Sequence, residues 1–566
     1  MKIKESEKKA RLEFWRELYE SALLSSSELF SSLSRHMEQY LGSDEIDGSS
    51  ERAKTVRNIT YELIESEISP DVPEPKADTV CYSERREENA RLIEKLCSSV
   101  KNKLPFEAYN DVDERYTYIY GGSVWYVEWD SEKREGGKGG VRIHALSPTA
   151  FIPQPKTYDI SDMEYCFLRF STTRGELIRR YGAKKEELSL AECEYESEGK
   201  DALADTVTVV NAFYKDEQGE IGRFVFSGSL TLDDTPEFYK RKTRVCSSCK
   251  VAEGECHCSV PRLETVNLDY ETVTLGGERI TLPYYTPKRF PIVIRKNTVG
   301  ALSHLGGSDC EKIRPQQQAI NKVESRILEK LLRSGVTPVM PEGASITLSN
   351  AVFGQVIKTR PGESLASYGK IDTTPDLSQD IAEADRLYDM AKRVLGISDA
   401  LQGLDTTTAE SGYARQLKIS RASSRLETKK RIKYLVYSEI YRLIFEHYLA
   451  FSDEVRRLSY KDAFGKTRIA EWSKLSFIEH GEDGYYYDDG YLFSVDLNSG
   501  SEYSREALWE KNLANLESGT LGDKASPETL LRYWESQQRA HYPYARENVE
   551  YFTSIIENER KGKKNG

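Results

Sequence analysis

The sequence predicts an α+β fold, and three patterns carry that prediction. The stretch 406–450 is the longest uninterrupted helical pattern in the chain and contains no proline. Alternating apolar and polar residues, which are typical of strands, fill much of 115–297. Two more helical stretches, 308–335 and 377–396, enclose a compact segment in which Pro and Gly separate short strands. The chain therefore combines a sheet-rich first half with long helices that follow it.

Length and composition bound the class of protein. At 566 residues the chain exceeds one typical hydrophobic core, which predicts three or four structural regions. No stretch approaches the roughly 20 apolar residues of a membrane-spanning helix. The start, MKIKESEKKARLEFW, also lacks the apolar run of a signal peptide. We therefore expect a protein that stays in the cytoplasm or in an assembly made there.

The charge balance limits how the chain can meet nucleic acid. With 92 acidic and 80 basic residues the net charge is −12, whereas tight general binding to phosphates needs surplus Lys and Arg. A passage through which a polyanion slides without sticking remains compatible with this charge. Nine cysteines are too few for a disulfide scaffold, and the missing export signal indicates a reducing compartment.

The first half of the chain is predicted to begin with helices and to continue with strands. Helical spacing places helices at 1–41, 53–69 and 83–104, with a polar linker at 42–50. Strands start at RYTYIYGGSVWYVEWD (115–130) and continue in VRIHALSPTAFIP after a glycine-rich reversal. Two more strand pairs join TVTVVNAFYKD to GRFVFSG and ETVTLGG to RITLPYYTP, and PIVIRKN follows them.

Helices are predicted to dominate after Asn297. The helix at 308–335 contains Pro315, which marks its first turn or a kink. The helix at 377–396 leads through ISDALQGLD into the long helix. Beyond Phe451 a Tyr- and acid-rich patch precedes the last helices. These are expected near 504–518, 527–538 and 544–559, and the terminal KGKKNG is expected to be a frayed tail.

One side of the long helix changes from cationic to apolar. Thr407 and Glu410 stand three apart, as in a capping box at its start. The basic residues are Arg415, Lys418, Arg421, Arg425, Lys429 and Lys433, and the apolar residues that continue this side are Val436, Ile440, Leu443 and Ile444. Two interpretations stay open. The side is a solvated basic face followed by a core face, or the helix leaves a polyanion-facing or water-filled space and enters a packed core.

No catalytic signature supports an enzyme. Gly465, Lys466 and Thr467 resemble the end of a phosphate-binding loop, but Tyr460 stands where that loop needs glycine. Neither HExxH nor GxSxG occurs, and the seven histidines are scattered. We therefore predict a protein without catalytic activity.

Four of the nine cysteines lie within thirteen residues. Cys246, Cys249, Cys256 and Cys258 form CxxC followed by CxC, a spacing that can close a tetrahedral zinc site over a short knuckle. His257 could replace one of the sulfur ligands. Free thiols without a metal are the alternative, and redox activity is a more remote one. We predict a structural zinc ion at this knuckle.

The order of segments resembles the portal proteins of tailed bacteriophages, in the branch with long chains. Three motifs carry the resemblance: VWYVEWD followed by IHALSPTAFIPQPKTYDISDMEYCFLRFSTTRGELIRRYG, then GGSDCEKIRPQQQAINKVESRILEKL, then LQGLDTTTAESGYARQLKISRASSRLETKKRI. Their order and spacing, rather than any single motif, make the resemblance specific. The cysteine knuckle departs from the usual pattern and reads as an insertion.

The resemblance implies a portal fold and its division into regions. These are an α/β wing at 1–307 with the cysteine-rich insertion at 244–260, stem helix 1 at 308–336, an α/β clip at 337–377, stem helix 2 at 378–397, a tunnel loop at 398–411, the long helix at 412–451, and a mainly helical crown with the C-terminal tail at 452–566.

The resemblance also implies a function and a set of partners. Portal subunits form a dodecameric ring at one capsid vertex, through which double-stranded DNA is packaged and ejected. The partners would be the terminase large subunit, a head-tail adaptor and capsid or scaffolding protein, in a virion assembled in the host cytoplasm. A zinc-containing protein that binds or processes nucleic acid is the alternative, although it would need a nucleotide site or a strongly basic face of its own.

The resemblance assigns the channel to the tunnel loop and the residues after it. Gly403 with Thr406, Thr407 and Thr408 makes a short polar segment able to bend. Hydroxyl groups form exchangeable hydrogen bonds with phosphates, whereas Lys and Arg would retain the DNA. We therefore expect the loop to line the narrowest part of the channel. Behind it we expect Arg415, Lys418 and Arg425, either paired with acids of a neighbouring subunit or forming a weak phosphate ring.

Overall fold

A computed structural model gives the architecture of the chain. It describes residues 5–43, 54–81, 83–134, 138–195, 205–246, 263–299, 303–334, 336–339, 347–351, 354–358, 369–372, 375–397, 412–461, 467–482, 484–495, 505–539, 542 and 544–564. The fold class is α+β, as the sequence predicts, with helices before and after an antiparallel sheet region. No helix in these ranges is long and apolar enough to cross a membrane.

The N-terminal region folds into two helices where one was predicted. They are α1 (Glu5–Ser25) and α2 (Ser27–Leu41), and α3 (Ile59–Glu67) follows them. The chain breaks at Ser26 because α1 packs Trp15 into one apolar cluster and α2 packs Leu33 into another. The helix predicted at 53–69 is shorter in the structure, since the Asn58 side chain accepts the Tyr61 N–H and caps its start.

The prediction of a strand at the beginning of 115–130 is wrong, because this stretch is helical. After β1 (Pro75–Thr79) and α4 (Glu84–Lys103), the chain forms a further helix, α5 (Phe106–Tyr120). The aromatic and β-branched residues of RYTYIY favour a strand locally, but helical spacing buries Asp113, Thr117 and Tyr120 together. Gly121 ends the helix at φ 86°, where a Cβ would meet the Gly306 carbonyl oxygen at 2.3 Å.

Two antiparallel sheets form the centre of residues 122–296. Along the chain the elements are β2 (Gly122–Arg134), β3 (Lys138–Leu146), β4 (Phe151–Pro153), β5 (Tyr165–Thr173), α6 (Arg174–Tyr181), β6 (Cys193–Tyr195), β7 (Thr206–Lys215), β8 (Ile221–Ser227) and β9 (Leu230–Thr235). The larger sheet has the order β4-β5-β7-β8-β9, with β6 beside β7. Its β5 residues alternate between two cores: Phe167 meets α1, whereas Cys166 and Leu168 meet the smaller sheet.

The strand pairings in this part of the chain confirm those that the sequence predicts. The remaining strands are β10 (Arg241–Cys246), β11 (Leu263–Leu268), β12 (Tyr270–Leu275), β13 (Glu278–Pro283) and β14 (Ile292–Lys296). β12 pairs with β13, and β7 pairs with β8, as the alternating patterns indicate. β14 joins β2 and β3 in the order β14-β2-β3.

A pair of packed helices encloses short strands. The elements are α7 (Asp309–Arg333), β15 (Val336–Val339), β16 (Thr347–Ala351), β17 (Gly354–Lys358), β18 (Gly369–Asp372) and α8 (Ser378–Leu395). Pro315 lies inside α7 rather than in its first turn. Antiparallel pairs join β15 to β18 and β16 to β17. The predicted order of elements, a helix followed by short strands and a second helix, is therefore present.

The long helix, α9 (Gly412–Phe451), is the centre of the largest apolar core. Its second half packs against α4 and the smaller sheet, where Tyr437, Tyr441 and Ile444 are buried. The predicted start of this helix at 406, with the capping box of Thr407 and Glu410, lies outside the described part of the chain. Side chains are described along this helix from Glu427 onward.

The strands that follow α9 pack into the same apolar core as α9. The strands are β19 (Arg456–Lys461), β20 (Thr467–Trp472), β21 (Ile478–Gly481), β22 (Gly484–Tyr487) and β23 (Tyr491–Val495). β23 pairs with β1, and Trp472 and Phe477 pack against the apolar residues of α9. The boundary predicted at Phe451 therefore does not separate two cores.

Three helices close the chain. They are α10 (Arg505–Glu517), α11 (Pro527–Arg539) and α12 (Ala545–Lys564). Within this group Gln537 Nε2 donates to the Trp509 carbonyl oxygen at 3.2 Å. The helix α12 continues through 561–564, so most of the predicted frayed tail is helical.

Candidate functional site

The residues predicted to carry function fall largely outside the described ranges. Gly403 and Thr406 to Thr408 belong to the undescribed segment 398–411. Cys249, Cys256 and Cys258 belong to the undescribed segment 247–262. Cys246 is described and buried at the end of β10. The residues Arg415, Lys418 and Arg425 lie on the helical backbone of α9, in the half whose side chains are not described.

The next two members of the basic series are described, and both are buried. The side chain of Lys429 is 10% exposed and that of Lys433 is 2% exposed. A solvated basic face is therefore the wrong interpretation for this part of the helix. Both ammonium groups instead meet acids of the same chain, and we treat this junction of α9 with α3, α5 and α7 as the candidate functional site.

Lys429 lies between two carboxylates from different helices. Its Nζ donates to Glu67 Oε2 at 2.6 Å and to Asp309 Oδ2 at 2.7 Å. The ammonium also lies 4.7 Å from the centre of the Tyr118 ring, in a cation–π contact. Lys312 completes the cluster, because its Nζ donates to Asp309 Oδ1 at 2.9 Å. Two lysines and two acids thus join the end of α3 to the start of α7 and to α9.

Lys433, one turn later, belongs to a second buried cluster. Its Nζ is 3.2 Å from Glu114 Oε1, and it donates to the Ser69 carbonyl oxygen at the same distance. Arg295 of β14 donates to Glu114 Oε1 at 2.7 Å and also pairs with Asp113. Two cations face two acids here, and the other Glu114 oxygen accepts the Ser69 N–H at 3.1 Å. Both Glu114 oxygens are therefore satisfied.

The buried acids of the two clusters differ in the direction of their pKa shifts. Burial and the neighbouring Asp309 raise the pKa of Glu67 to about 8, even though Lys429 lowers it. Burial opposes the charged form of Asp309, but Lys429 and Lys312 outweigh it and lower the pKa of that carboxyl. Asp309 is thus the ionised partner of Lys429, whereas Glu67 is the acid that takes up a proton. In the second cluster, Arg295 and Lys433 outweigh burial and lower the pKa of Glu114.

The local sequence explains how Asp309 reaches Lys429. Ser308 caps α7, since its Oγ accepts the Glu311 N–H at 3.3 Å. The same hydroxyl contacts the Ile119 carbonyl oxygen, so the cap is fixed to the end of α5. Asp309 follows in the first turn, where a carboxylate is favoured by the helix dipole. The start of α7 is therefore held at the point where α9 passes.

The packing of α7 on α8 extends from this junction. Ile313 and Ile320 of α7 share a buried cluster with Ala391 and Leu395 of α8 and with Ile59 of α3. At the far end Asp380 of α8 pairs with Arg326 and Lys330 of α7. Apolar contacts near the junction and ion pairs away from it thus hold the two helices together.

A groove of about 910 Å³ opens between α9 and the segment that leads into β14. Leu435 is 67% exposed along it, and Val299 is 78% exposed. Glu446 is buried beside it and accepts from Arg442 Nε at 3.3 Å, while Arg289 Nε lies at the same distance. Burial raises the pKa of Glu446 to about 7 despite both arginines. The groove therefore offers apolar surface next to an acid that is already paired.

Sequence reasoning found the two lysines but missed their acidic partners. Glu67 and Lys429 are 362 positions apart, and no spacing rule connects them. Only Asp309 carried a local signal, since Ser308 and an acid in the first turn mark a helix start. Within the described ranges no group of three or more His, Cys, Asp or Glu residues could hold a metal ion. The ion pairs of the junction connect α9 with α3, α5 and α7.

Comparisons with known proteins point to one family. A family model described as "Phage P22-like portal protein" matches residues 74–427. No curated protein sequence matches the chain. Among solved structures, a chain of "Virion of native gene transfer agent (GTA) particle" has 9% identity and a TM-score of 0.36, covering 88% of this chain and 92% of that one. A chain of "Neck of native GTA particle computed with C12 symmetry" has 10% identity and a TM-score of 0.33, covering 82% and 89%. Structural likenesses of this strength do not bear on function.

Proposed function

Because the matched residues 74–427 make up more than half of its length, the chain belongs to the phage P22-like portal protein family, and we propose that it forms the ring through which DNA is packaged and ejected. The family match is the observation that carries this proposal. The ring would occupy one vertex of a phage-like capsid. The chain would have a structural role there, without catalysis of its own.

The order of the described elements supports the proposal. Two packed helices, α7 and α8, enclose the short strands β15 to β18, and the long α9 follows. We assign α7 and α8 to the stem and the strands between them to the clip. The sheets before α7 would form the wing, and the helices α10 to α12 would form the crown. The strands β19 to β23 share the core of α9 and would therefore belong with the wing.

We propose that segment 398–411 lines the narrowest part of the channel. Gly403 and the hydroxyls of Thr406, Thr407 and Thr408 can touch phosphates without holding them. The pairing of Lys429 and Lys433 with acids supports the view that the basic side of the helix is neutralised by protein rather than by DNA. For Arg415, Lys418 and Arg425 the proposed partners are acids of a neighbouring subunit.

We also propose that the cysteine knuckle binds one structural zinc ion. Cys246 ends β10, and β11 begins at Leu263, its partner in the antiparallel pair. The other three cysteines lie in the connection between these strands. A zinc ion held by Cys246, Cys249, Cys256 and Cys258 would thus close the tip of a hairpin, and four protein ligands leave no open position for catalysis.

The proposed partners follow from a place at the portal vertex. They are the terminase large subunit during packaging, the head-tail adaptor afterwards, capsid or scaffolding protein at the rim, and double-stranded DNA in the channel. The formal charge of −12 per chain would keep DNA from adhering to most of the ring surface.

An end-on electron-microscopy image of the purified protein in negative stain tests the proposal. We expect rings of about twelve subunits with a central channel, since heterologous contacts that close produce cyclic symmetry. Assembly with the capsid protein should place one such ring in each shell. A chain that stays monomeric at high concentration, and forms no ring with capsid protein either, would contradict the proposed function.

A further inference from the structure

We infer that Lys429 positions the half of the long helix that leads to the channel segment. The inference rests on the proposed function, because that function places segment 398–411 in the channel wall. It assigns a role to a single described contact, the anchorage of α9 between Glu67 and Asp309. The neighbouring Lys433 has a different role and provides the comparison.

Lys429 is the first anchor that the described part of the helix provides. Side chains of α9 are described from Glu427, and Lys429 is the first of them with a hydrogen bond or ion pair to another element. Its ammonium group holds two elements at once, the end of α3 through Glu67 and the start of α7 through Asp309. Both acids are buried, so the contact of Lys429 with the ionised Asp309 is little screened by salt.

The anchor lies at a point where a small movement is amplified. The residues 412–428 precede it, and at 1.5 Å per residue they form a lever of roughly 25 Å. A tilt of about 5° at Lys429 would displace the far end by roughly 2 Å over such a helix. The position of residues 412–428 would therefore depend on how firmly Lys429 is held.

The same contact ties the long helix to the first stem helix. Asp309 is the first residue of α7, whose cap Ser308 is fixed to α5. Lys429 therefore connects this part of α9 to the start of α7. A displacement of α7 would reach the channel segment through this pair of residues.

Lys433 serves a separate purpose, the attachment of α9 to the wing. It contacts Glu114 of α5 and the Ser69 carbonyl oxygen, and it touches neither Glu67 nor Asp309 in the described bonds. It lies one turn further from the lever and in front of the apolar core. Replacement of Lys433 should therefore lower stability without freeing residues 412–428 selectively.

Hydrogen–deuterium exchange of the full chain tests the inference. In Lys429→Met we expect the amides of 412–428 to exchange about tenfold faster than in the wild type, with those of 440–450 nearly unchanged. Lys429→Arg should restore most of the protection because it keeps the charge. Lys433→Met is the matched control and should not show the selective increase. Equal effects of the two methionine variants, or none in 412–428, would overturn the inference.

A second variant keeps the test decisive if Lys429→Met does not fold. Asp309→Asn removes the ionised partner and leaves the lysine in place, so the same selective exchange is expected. Exchange is measured on isolated protein, whereas the proposed function is tested by ring images. Absence of rings from the wild type would contradict the function alone, and rings with unselective exchange would contradict this inference alone.

Discussion

The residues at the junction show that burial can reverse what a basic pattern suggests. Lys429 and Lys433 continue a series that looks solvent-facing, yet acids of three helices surround them. A buried ion pair adds little net stability, because desolvation offsets the attraction, but removal of one partner costs several kcal/mol. Such pairs therefore fix geometry more than they add stability.

Glu67 is predicted to make stability depend on pH. The folded protein raises its pKa from 4.5 to about 8, so the folded state binds a proton that the unfolded chain releases between these values. The associated stability is fully present below about pH 4.5 and is lost as the pH rises through about 8. The groups that face Glu67 are Asp309, Lys312, Lys429 and Tyr118.

The Glu67→Gln variant isolates this effect. Its melting temperature, measured by calorimetry at pH 5.5 and 8.5, should fall less with rising pH than that of the wild type, because glutamine stays neutral. The matched control is Glu114→Gln, since the fold lowers the pKa of Glu114. That variant leaves two buried cations short of a carboxylate and should lose about 3–5 kcal/mol at neutral pH. Parallel pH profiles for the wild type and Glu67→Gln would show that Glu67 is ionised throughout.

The cysteine knuckle leads to a second prediction at the residue scale. Elemental analysis should find close to one zinc ion per chain, and Cys249→Ser should lose most of it, because three ligands bind zinc far more weakly than four. Cys97→Ser is a suitable control, since Cys97 lies buried in the core with α9. Zinc content that is unchanged in Cys249→Ser would exclude the proposed site.

At the scale of elements, apolar packing joins α7 to α8. Ile320 is fully buried in the cluster that joins the two helices, whereas Leu332 of the same helix is 70% exposed. Truncation of a buried isoleucine removes apolar contacts and leaves a cavity. The two positions thus form a matched pair on one helix.

We predict that Ile320→Ala lowers the free energy of unfolding by about 2–5 kcal/mol. Leu332→Ala should change it by less than about 0.5 kcal/mol, since that side chain is already in contact with water. Denaturant titration followed by circular dichroism measures both. If the two substitutions cost the same, α7 and α8 do not pack through Ile320.

Deletion of Gly403 to Thr406 tests the channel segment. Rings should still assemble, because the deletion leaves the helices α7, α8 and α9 intact, whereas DNA packaging or retention should be impaired. Packaging is measured as DNA protected from nuclease inside filled capsids. Normal packaging by the deletion variant, or a position of Thr406 to Thr408 on the outer rim, would refute the assignment.

Arg415→Glu complements the deletion. If the basic residues pair with acids of a neighbouring subunit, the reversed charge should chiefly weaken subunit contacts, and smaller assemblies should appear in light scattering. If Arg415 instead faces phosphates, rings should form normally and only DNA retention should change. The two variants therefore separate the two interpretations of the basic side.

At the scale of the whole molecule, one core dominates and the C-terminal helices stand apart from it. The clusters of buried apolar residues in the described part of the chain include strands up to Val495 but no residue of α10 to α12. The helices α10 and α11 instead meet each other, for example through Gln537 and Trp509.

Deletion of 499–566 should therefore leave the rest of the chain folded. We expect the melting temperature of the truncated protein to lie within about 3 °C of the full-length value, because the apolar clusters of the described residues contain none from α10 to α12. Deletion from 456 onward is the contrasting control and should prevent folding, since it removes Trp472 and Phe477 from the largest core. A large loss of stability in the shorter truncation would show that the terminal helices support the core.

The sequence by itself determined the elements whose signal is local. The helices α7, α8 and α9 and the paired strands that precede α7 follow from apolar periodicity, turn residues and caps, all of which act within a few positions. The portal family also followed from the order of these segments, and the family match confirms it. The regional boundaries, the zinc site and the channel residues stay predictions.

Only the tertiary structure decided the conformation and the burial of residues whose partners are distant in the chain. Arg115 to Tyr120 favour a strand locally, but burial of Asp113 and Glu114 against Arg295 makes the segment part of a helix. Lys429 reads as a solvated cation until the fold brings Glu67 and Asp309 to it. Desolvation and pairing depend on which groups meet in space, and no local pattern encodes contacts across hundreds of positions.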